Sequence, residues 1–272
     1  MADSLTYRPV RPAGRRAFRC PWGACSVVSD TSQSTFGPPP AATGHLPPYV
    51  APFRSPRGLA TALTALFGLT VGVDLLAVAS DAHVWRLTDE MAGGGTVEDA
   101  DLARADALQV VGGVLQVTLL VATAVVFIIW FHRVRRNADF FALDSCEMKS
   151  GWAIGAWFVP IGNLWLPRKV AGEVWNAGID WDSEARRPSP TPVNVWWALF
   201  VATWLVGRVA GSAYKDAAGV EEMKRAAGMM MFSDALDAVA AVFALLFVRK
   251  LTRMQLDKAT ARQEQILPQP RP

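Results

Sequence analysis

The stretch LQVVGGVLQVTLLVATAVVFIIWF, residues 108–131, decides the fold class of this chain. It contains no charged side chain, and about 20 apolar residues in a helix are enough to cross about 30 Å of hydrocarbon. The stretch is therefore predicted to be a transmembrane helix. Three further apolar stretches of about the same length are predicted spans: Leu59–Ser80, Val193–Ala213 and Met229–Val248.

Composition agrees with a membrane protein. The chain has 272 residues, of which 51% are hydrophobic, and a net charge of only +3. We predict an all-α polytopic protein, a bundle of four transmembrane helices plus one interfacial or re-entrant Pro/Trp-rich segment. Residues 1–56 are predicted to be a disordered, Pro/Arg-rich cytoplasmic tail, because such a segment cannot bury enough apolar surface to offset chain entropy. The four-span domain is placed at 57–260, and a disordered C-terminal tail at 261–272.

The distribution of basic residues predicts the orientation. Arg54 and Arg57 precede the first span, and the segment 81–106 is strongly acidic. Basic residues follow the second and fourth spans: Arg133, Arg135, Arg136, Arg249, Lys250 and Arg253. Positive loops favour the cytoplasm, so both termini are expected inside, in a multi-pass protein of the inner (plasma) membrane.

A fifth apolar stretch, WAIGAWFVPIGNLWL at 152–166, is predicted not to cross the bilayer. It has only 15 residues and carries Pro160 in its middle. A fifth crossing would also place the C-terminal basic cluster outside. We expect this segment, together with a short helix after it, to lie on or dip into the cytoplasmic side of the membrane.

This central region resembles the bacterial membrane protein family known as domain of unknown function 4328. The matching pattern reads W-x-x-G-x-W-F-x-P-x-x-N-L-W-x-P, followed by a short helix with a tryptophan. Its positions here are Trp152, Gly155, Trp157, Phe158, Pro160, Asn163, Leu164, Trp165, Pro167 and Trp175. The resemblance implies a small multi-span protein, most often actinobacterial, and implies no activity. Relatives often carry an N-terminal zinc-ribbon-like cysteine pair, from which this chain departs.

Polar residues within the spans are the candidate site. We count about 1.5 Å per residue from the cytoplasmic end of each predicted helix. One polar residue on each span then lies about 21–22 Å from that end, and a second polar residue on the fourth span lies about 16 Å from it. The candidates are Asp74, Gln116, Arg208, Asp234 and Asp237. Charged groups at such depths normally face the bundle interior or water and pair with one another, so we expect Arg208 to pair with Asp74, Asp234 or Asp237.

Three interpretations of this intramembrane cluster remain open. It is a pocket for an ion, a proton or a small solute, a buried salt-bridge network that fixes helix register, or a coincidence of depth. Asn163 likewise either satisfies backbone groups freed by the neighbouring prolines or contacts a ligand.

Several classes of function find no support in the sequence. It contains no nucleophile elbow, metalloprotease helix, phosphate loop or dinucleotide motif, so the chain is not expected to be an enzyme. Cys20 and Cys25 form at most half of a zinc site, and neither a metal nor a cofactor is expected. The basic loops are explained by topology and anionic lipid, which leaves no argument for nucleic-acid binding.

Two classes of function therefore remain. The first is a non-enzymatic scaffold or partner subunit, whose partners are the lipid bilayer and either another protein or a second copy of the chain. The second is a small-solute, ion or proton pathway through the Asp/Arg cluster. The first is favoured at this stage, because no internal repeat suggests alternating access.

Overall fold

A computed structural model describes residues 52–141, 146–179 and 188–266 of the chain. These residues form helices and no strand, and four of the helices are long and apolar enough to span a membrane, which confirms the predicted fold class. The six α-helices are α1 (Arg57–Ala92), α2 (Asp99–Phe141), α3 (Trp152–Gly155), α4 (Leu166–Gly178), α5 (Thr191–Asp216) and α6 (Val220–Ile266).

The long helices extend well beyond their apolar stretches. Only residues 93–98 separate α1 from α2, and only residues 217–219 separate α5 from α6. Most of the acidic segment predicted as a loop is therefore helical, since charged residues continue a helix once it has left the hydrocarbon. We call the end of the bundle that carries these two connections the short-loop end, and the opposite end the termini end.

Both predicted tail boundaries need correction. Helix α6 continues through residues 261–266, which had been assigned to a disordered tail. At the other boundary, Arg54 exchanges backbone hydrogen bonds with the Asn137 side chain, with distances of 2.9 and 3.1 Å. Residues 52–56 therefore contact α2. The rest of the predicted N-terminal tail, including Cys20 and Cys25, lies outside the described residues.

The helices pack in the order α2, α1, α6, α5. Helix α1 packs against both α2 and α6, and α6 also packs against α5. Helices α2 and α5 are the two outer members and do not pack extensively against each other. This arrangement leaves a cleft between α2 and α5, with α6 behind it.

Aromatic side chains fill this cleft at the termini end. Trp196 of α5 stacks on Phe247 of α6 with ring centroids 4.6 Å apart, and Phe127 of α2 lies 5.7 Å from Trp196. Trp130 is fully buried and donates a hydrogen bond from Nε1 to Thr252 Oγ1 (3.1 Å). We call this group, with Phe131, Trp157, Trp197 and Phe200, the aromatic plug.

The segment 152–166 does not form one continuous helix. It consists of the four-residue α3, irregular turns around Pro160 and a 3-10 turn at Gly162–Leu164. The predicted short helix follows as α4, with Pro167 in its first turn, where a missing N–H costs nothing. Lys169 of α4 hydrogen-bonds Glu147 (2.9 Å), and this contact lowers the pKa of the Glu147 carboxyl.

Candidate functional site

The centre of the candidate site is a pair of matched contacts between α1 and α2. Gln116 Nε2 donates to Asp74 Oδ1 (3.2 Å), and Gln109 Nε2 donates to Asp81 Oδ1 (2.6 Å). The two aspartates are seven residues apart on α1, and the two glutamines are seven residues apart on α2. Because the two helices run antiparallel, a seven-residue step on each brings a second acid–amide pair into register, about 10 Å closer to the short-loop end.

Asp234 of α6 connects the two pairs. Its Oδ1 accepts a second hydrogen bond from Gln116 Nε2 (3.1 Å). Its carboxyl group also lies within hydrogen-bonding reach of the Asp81 carboxyl. Asp237, one turn further along α6 and half-buried, lies near enough to interact electrostatically with Asp74 and Asp234. We call Asp74, Asp81, Asp234 and Asp237 the carboxylate cluster.

Three members of the carboxylate cluster are buried, and none of them has a basic partner among the described residues. Asp74, Asp81 and Asp234 are 3%, 1% and 6% exposed. No basic side chain in the described ranges forms an ion pair with any member of the cluster. Asp74 Oδ2 and Asp81 Oδ2 are also buried without a hydrogen-bond donor. Amide groups can donate hydrogen bonds but carry no charge, so the excess negative charge of the ionised cluster remains uncompensated.

Arg208 does not join this cluster, and the predicted pairing is not observed. Its side chain is exposed, and the guanidinium carbon lies 5.7 Å from the centroid of the Trp204 ring. The neighbouring Gly207 is the residue that faces α6, close to Ser233. Counting residues along a helix fixes the height of a side chain but not its direction. Arg208 has a suitable height, but it lies about 100° around the helix from the face that meets α6.

A cavity of about 510 Å³ lies beside the cluster, between α2 and α5. Helix α6 supplies its back wall. The cavity is lined by Asp106, Gln109, Val110, Gly113, Gln116, Tyr214, Met230 and Asp234. Along α2, Gln116 is eleven residues from Phe127, so the aromatic plug begins about 16 Å from the cavity towards the termini end. The cavity therefore belongs to the short-loop half of the bundle.

The family described as Domain of unknown function (DUF4328) matches residues 94–253, more than half of the chain. The chain belongs to this family. No curated protein and no solved structure matches it. The DUF4328 match includes α2 and most of α6, and hence Gln109, Gln116 and Asp234, whereas α1 with its two aspartates lies before it.

The DUF4328 motif has a defined place in the structure. Trp157 lies between the two outer helices, with ring centroids 5.8 Å from Phe127 of α2 and 5.7 Å from Phe200 of α5. It thereby completes the aromatic plug, while Trp175 is fully buried on α4. Trp152, Phe158, Leu164 and Trp165 are exposed.

The two roles predicted for Asn163 stay predictions, because proline frees backbone carbonyl oxygens, which only the amide nitrogen of Asn163 could satisfy. Asn163 Oδ1 is buried and has no hydrogen-bond donor. The contact that does tie this turn to the bundle comes from α5, where Trp197 Nε1 donates to the carbonyl oxygen of Leu164 (3.1 Å).

Sequence reasoning missed two members of the candidate site, Asp81 and Gln109. Both stand at the edges of their apolar stretches, and Asp81 had been counted with the acidic loop. The seven-residue spacing of Asp74 and Asp81 on one helix, repeated by Gln116 and Gln109 on the next, was the available signal. It is informative because such spacing keeps side chains on one face of a helix.

Proposed function

We propose that this protein takes up protons at the carboxylate cluster and forms part of a proton or cation pathway across the membrane. The observation that carries the proposal is the burial of three aspartates, Asp74, Asp81 and Asp234, with amide donors and no basic partner among the described residues. Of the interpretations of the cluster that the sequence left open, this geometry favours a site for a proton or an ion over a salt-bridge network.

Electrostatics explains why such a cluster binds a positive species. Two carboxylates that share a site cannot both remain ionised at low cost, since each raises the energy of the other. Burial among apolar helices adds the cost of removing each charge from water. A proton shared between Asp81 and Asp234 relieves both costs. Among the described residues, no three His, Cys, Asp or Glu side chains are arranged so that together they could hold a metal ion, which favours a proton over a metal ion.

The test is proton movement into vesicles that contain the purified full-length chain and an internal pH-sensitive dye. After an acid pulse outside, vesicles with the protein are expected to acidify faster than protein-free vesicles. Equal rates in the two preparations, with correct insertion checked by protease accessibility, would contradict the proposed pathway.

We further propose that both termini face the cytoplasm and that the protein resides in the plasma membrane of an actinobacterium. The basic residues that flank the spans at the termini end support this orientation. The short-loop end, with its cavity, then faces outward.

Segment 152–166 is expected to remain on the cytoplasmic side, because its helices are short and broken. Single cysteines at Ser150 and Ser189, in a background without native cysteines, should react with an impermeant thiol reagent from the same side, and a cysteine at Gly94 from the opposite side. Labelling of Ser150 and Ser189 from opposite sides would mean a fifth crossing.

The second candidate function is that of a scaffold or partner subunit. The exposed surface of segment 152–166 supports it. Phe158 and Ile161 are 72% and 71% exposed, and Trp165 is 54% exposed. Aromatic side chains of this kind suit the boundary between hydrocarbon and headgroups. We propose that this surface rests in the cytoplasmic leaflet. Fluorescence of Trp165 unaffected by lipid-borne quenchers would contradict that placement.

A further inference from the structure

We propose that the cavity between α2 and α5 binds an amphiphilic organic cation, with its charge near Asp234 and its apolar body against Val110 and Met230. This inference rests on the proposed function, because proton and cation would share the carboxylate cluster. It goes further by assigning a class of substrate to the cavity.

The size and the walls of the cavity fit such a ligand. Its volume of about 510 Å³ lies within the range of sites that bind small molecules, about 300–1,000 Å³. Its lining combines the apolar side chains of Val110 and Met230 with several polar groups, so that it offers both an apolar wall and negative charge. An inorganic cation would need several oxygen ligands around it, and among the described residues no three Asp, Glu, His or Cys side chains are placed to hold one together.

The charge of the lining selects a cation. Asp234 is 6% exposed and lines the cavity, and Asp106 contributes a second carboxylate nearer its rim. Tyr214 adds an aromatic ring, to which an organic cation is attracted through the ring's negative face. Among the residues that line this cavity there is no basic side chain. An anion of the same shape would meet two carboxylates and no compensating charge.

The packing of the helices gives such a ligand a way in. Helices α2 and α5 flank the cavity without packing extensively against each other, so an amphiphile dissolved in the membrane can enter between them. Towards the termini end the aromatic plug closes the cleft, with Trp157 held between Phe127 and Phe200. The cavity is thus accessible in its short-loop half and blocked in the other.

Binding of the cation should release a proton. The titratable groups that face Asp234 come from all four long helices: Asp74 and Asp81 on α1, Asp106 on α2, Tyr214 on α5 and Asp237 on α6. None of them is basic at neutral pH, so a proton and the organic cation compete for the same negative charge. One proton released per cation is the expected stoichiometry.

The test uses tetraphenylphosphonium as the cation and tetraphenylborate as an anion of nearly the same shape. Each is titrated calorimetrically into the full-length chain in nanodiscs of zwitterionic lipid, in two buffers of different ionisation enthalpy so that proton release can be counted. Tetraphenylphosphonium should bind saturably, whereas tetraphenylborate should give only the signal of empty nanodiscs. Asp234→Asn should weaken cation binding at least about tenfold, which corresponds to about 1.4 kcal/mol.

A matched pair of glycine variants tests the position of the apolar body. Gly113 lines the cavity and Gly112 does not, and an added Cβ would meet no neighbouring atom at either position. Gly113→Leu should therefore fold, fill part of the cavity and weaken tetraphenylphosphonium binding. Gly112→Leu, in which the same side chain points elsewhere, should bind as the wild type does.

Three results would overturn the inference. Equal binding of the anion, or unchanged cation binding by both Asp234→Asn and Gly113→Leu, would indicate partition into lipid. No saturable binding of the cation, in a preparation that still carries protons into vesicles, would remove the organic cation and leave the proposed function standing. Loss of both properties would overturn the two proposals together.

Discussion

Replacing Asp74, Asp81 and Asp234 together by asparagine is expected to abolish acid-driven proton uptake by vesicles that contain the protein. The rate should fall to that of protein-free vesicles, because the three buried members of the carboxylate cluster would be gone and only the half-buried Asp237 would remain. Asparagine has the shape of aspartate, and each new amide can still pair with a glutamine side chain. The variant should therefore fold, which its elution as a single species in mild detergent would check.

The matched control for the triple variant removes acids that lie outside the cluster. Glu98 and Asp99 are exposed at the short-loop end, and Glu98→Gln with Asp99→Asn should leave proton uptake unchanged. Uptake that survives the triple variant, or that is lost in the control, would show that protons move by another route.

Gln116→Met is expected to destabilise the folded protein by about 2–4 kcal/mol at neutral pH. Gln116 is the only residue seen to donate to both Asp74 and Asp234 within the described ranges, and methionine keeps its length without its amide. Both carboxylates then lose a donor in a buried site. The loss should be smaller at mildly acidic pH, because carboxyl groups without a donor can take up a proton and become neutral.

Thermal denaturation in mild detergent at the two pH values measures the effect of Gln116→Met. Thr118→Val serves as the control, because Thr118 is exposed on the same helix and its hydroxyl bonds only the Val114 carbonyl oxygen. The control should shift little at either pH. An equal shift in Gln116→Met and Thr118→Val, or one that does not depend on pH, would contradict the assigned role of Gln116.

The sequence was sufficient to predict the four spans, because a span needs only an apolar stretch whose length as a helix matches the thickness of the hydrocarbon core. It also predicted that 152–166 is interrupted, since Pro160 can neither donate a backbone hydrogen bond nor fit a helix interior. The short helix expected after this segment forms as α4, and its Val170, Val174 and Trp175 side chains are fully buried.

The composition of the site could be predicted only in part. Asp74, Gln116 and Asp234 do meet, because they have nearly equal heights and their side chains also face one another between the helices. The predicted pairing of Arg208 was wrong, because the direction of a side chain around α5 depends on how that helix packs. Gly207 lies close to Ser233 of α6, so the neighbouring Arg208 points elsewhere. Asp81 was missed because an acidic residue at the end of an apolar stretch looks like the start of a loop, whereas α1 continues to Ala92.

If the carboxylate cluster carries a proton, infrared spectroscopy of the reconstituted protein should detect that proton. Protonated and ionised carboxyl groups absorb at different frequencies, so a pH titration reports their state without a label. We expect a protonated-carboxyl band in the wild type that is absent from the variant with asparagine at positions 74, 81 and 234, and that persists in the Glu98/Asp99 control. A wild-type spectrum with only ionised carboxylates throughout the mildly acidic to neutral range would contradict it.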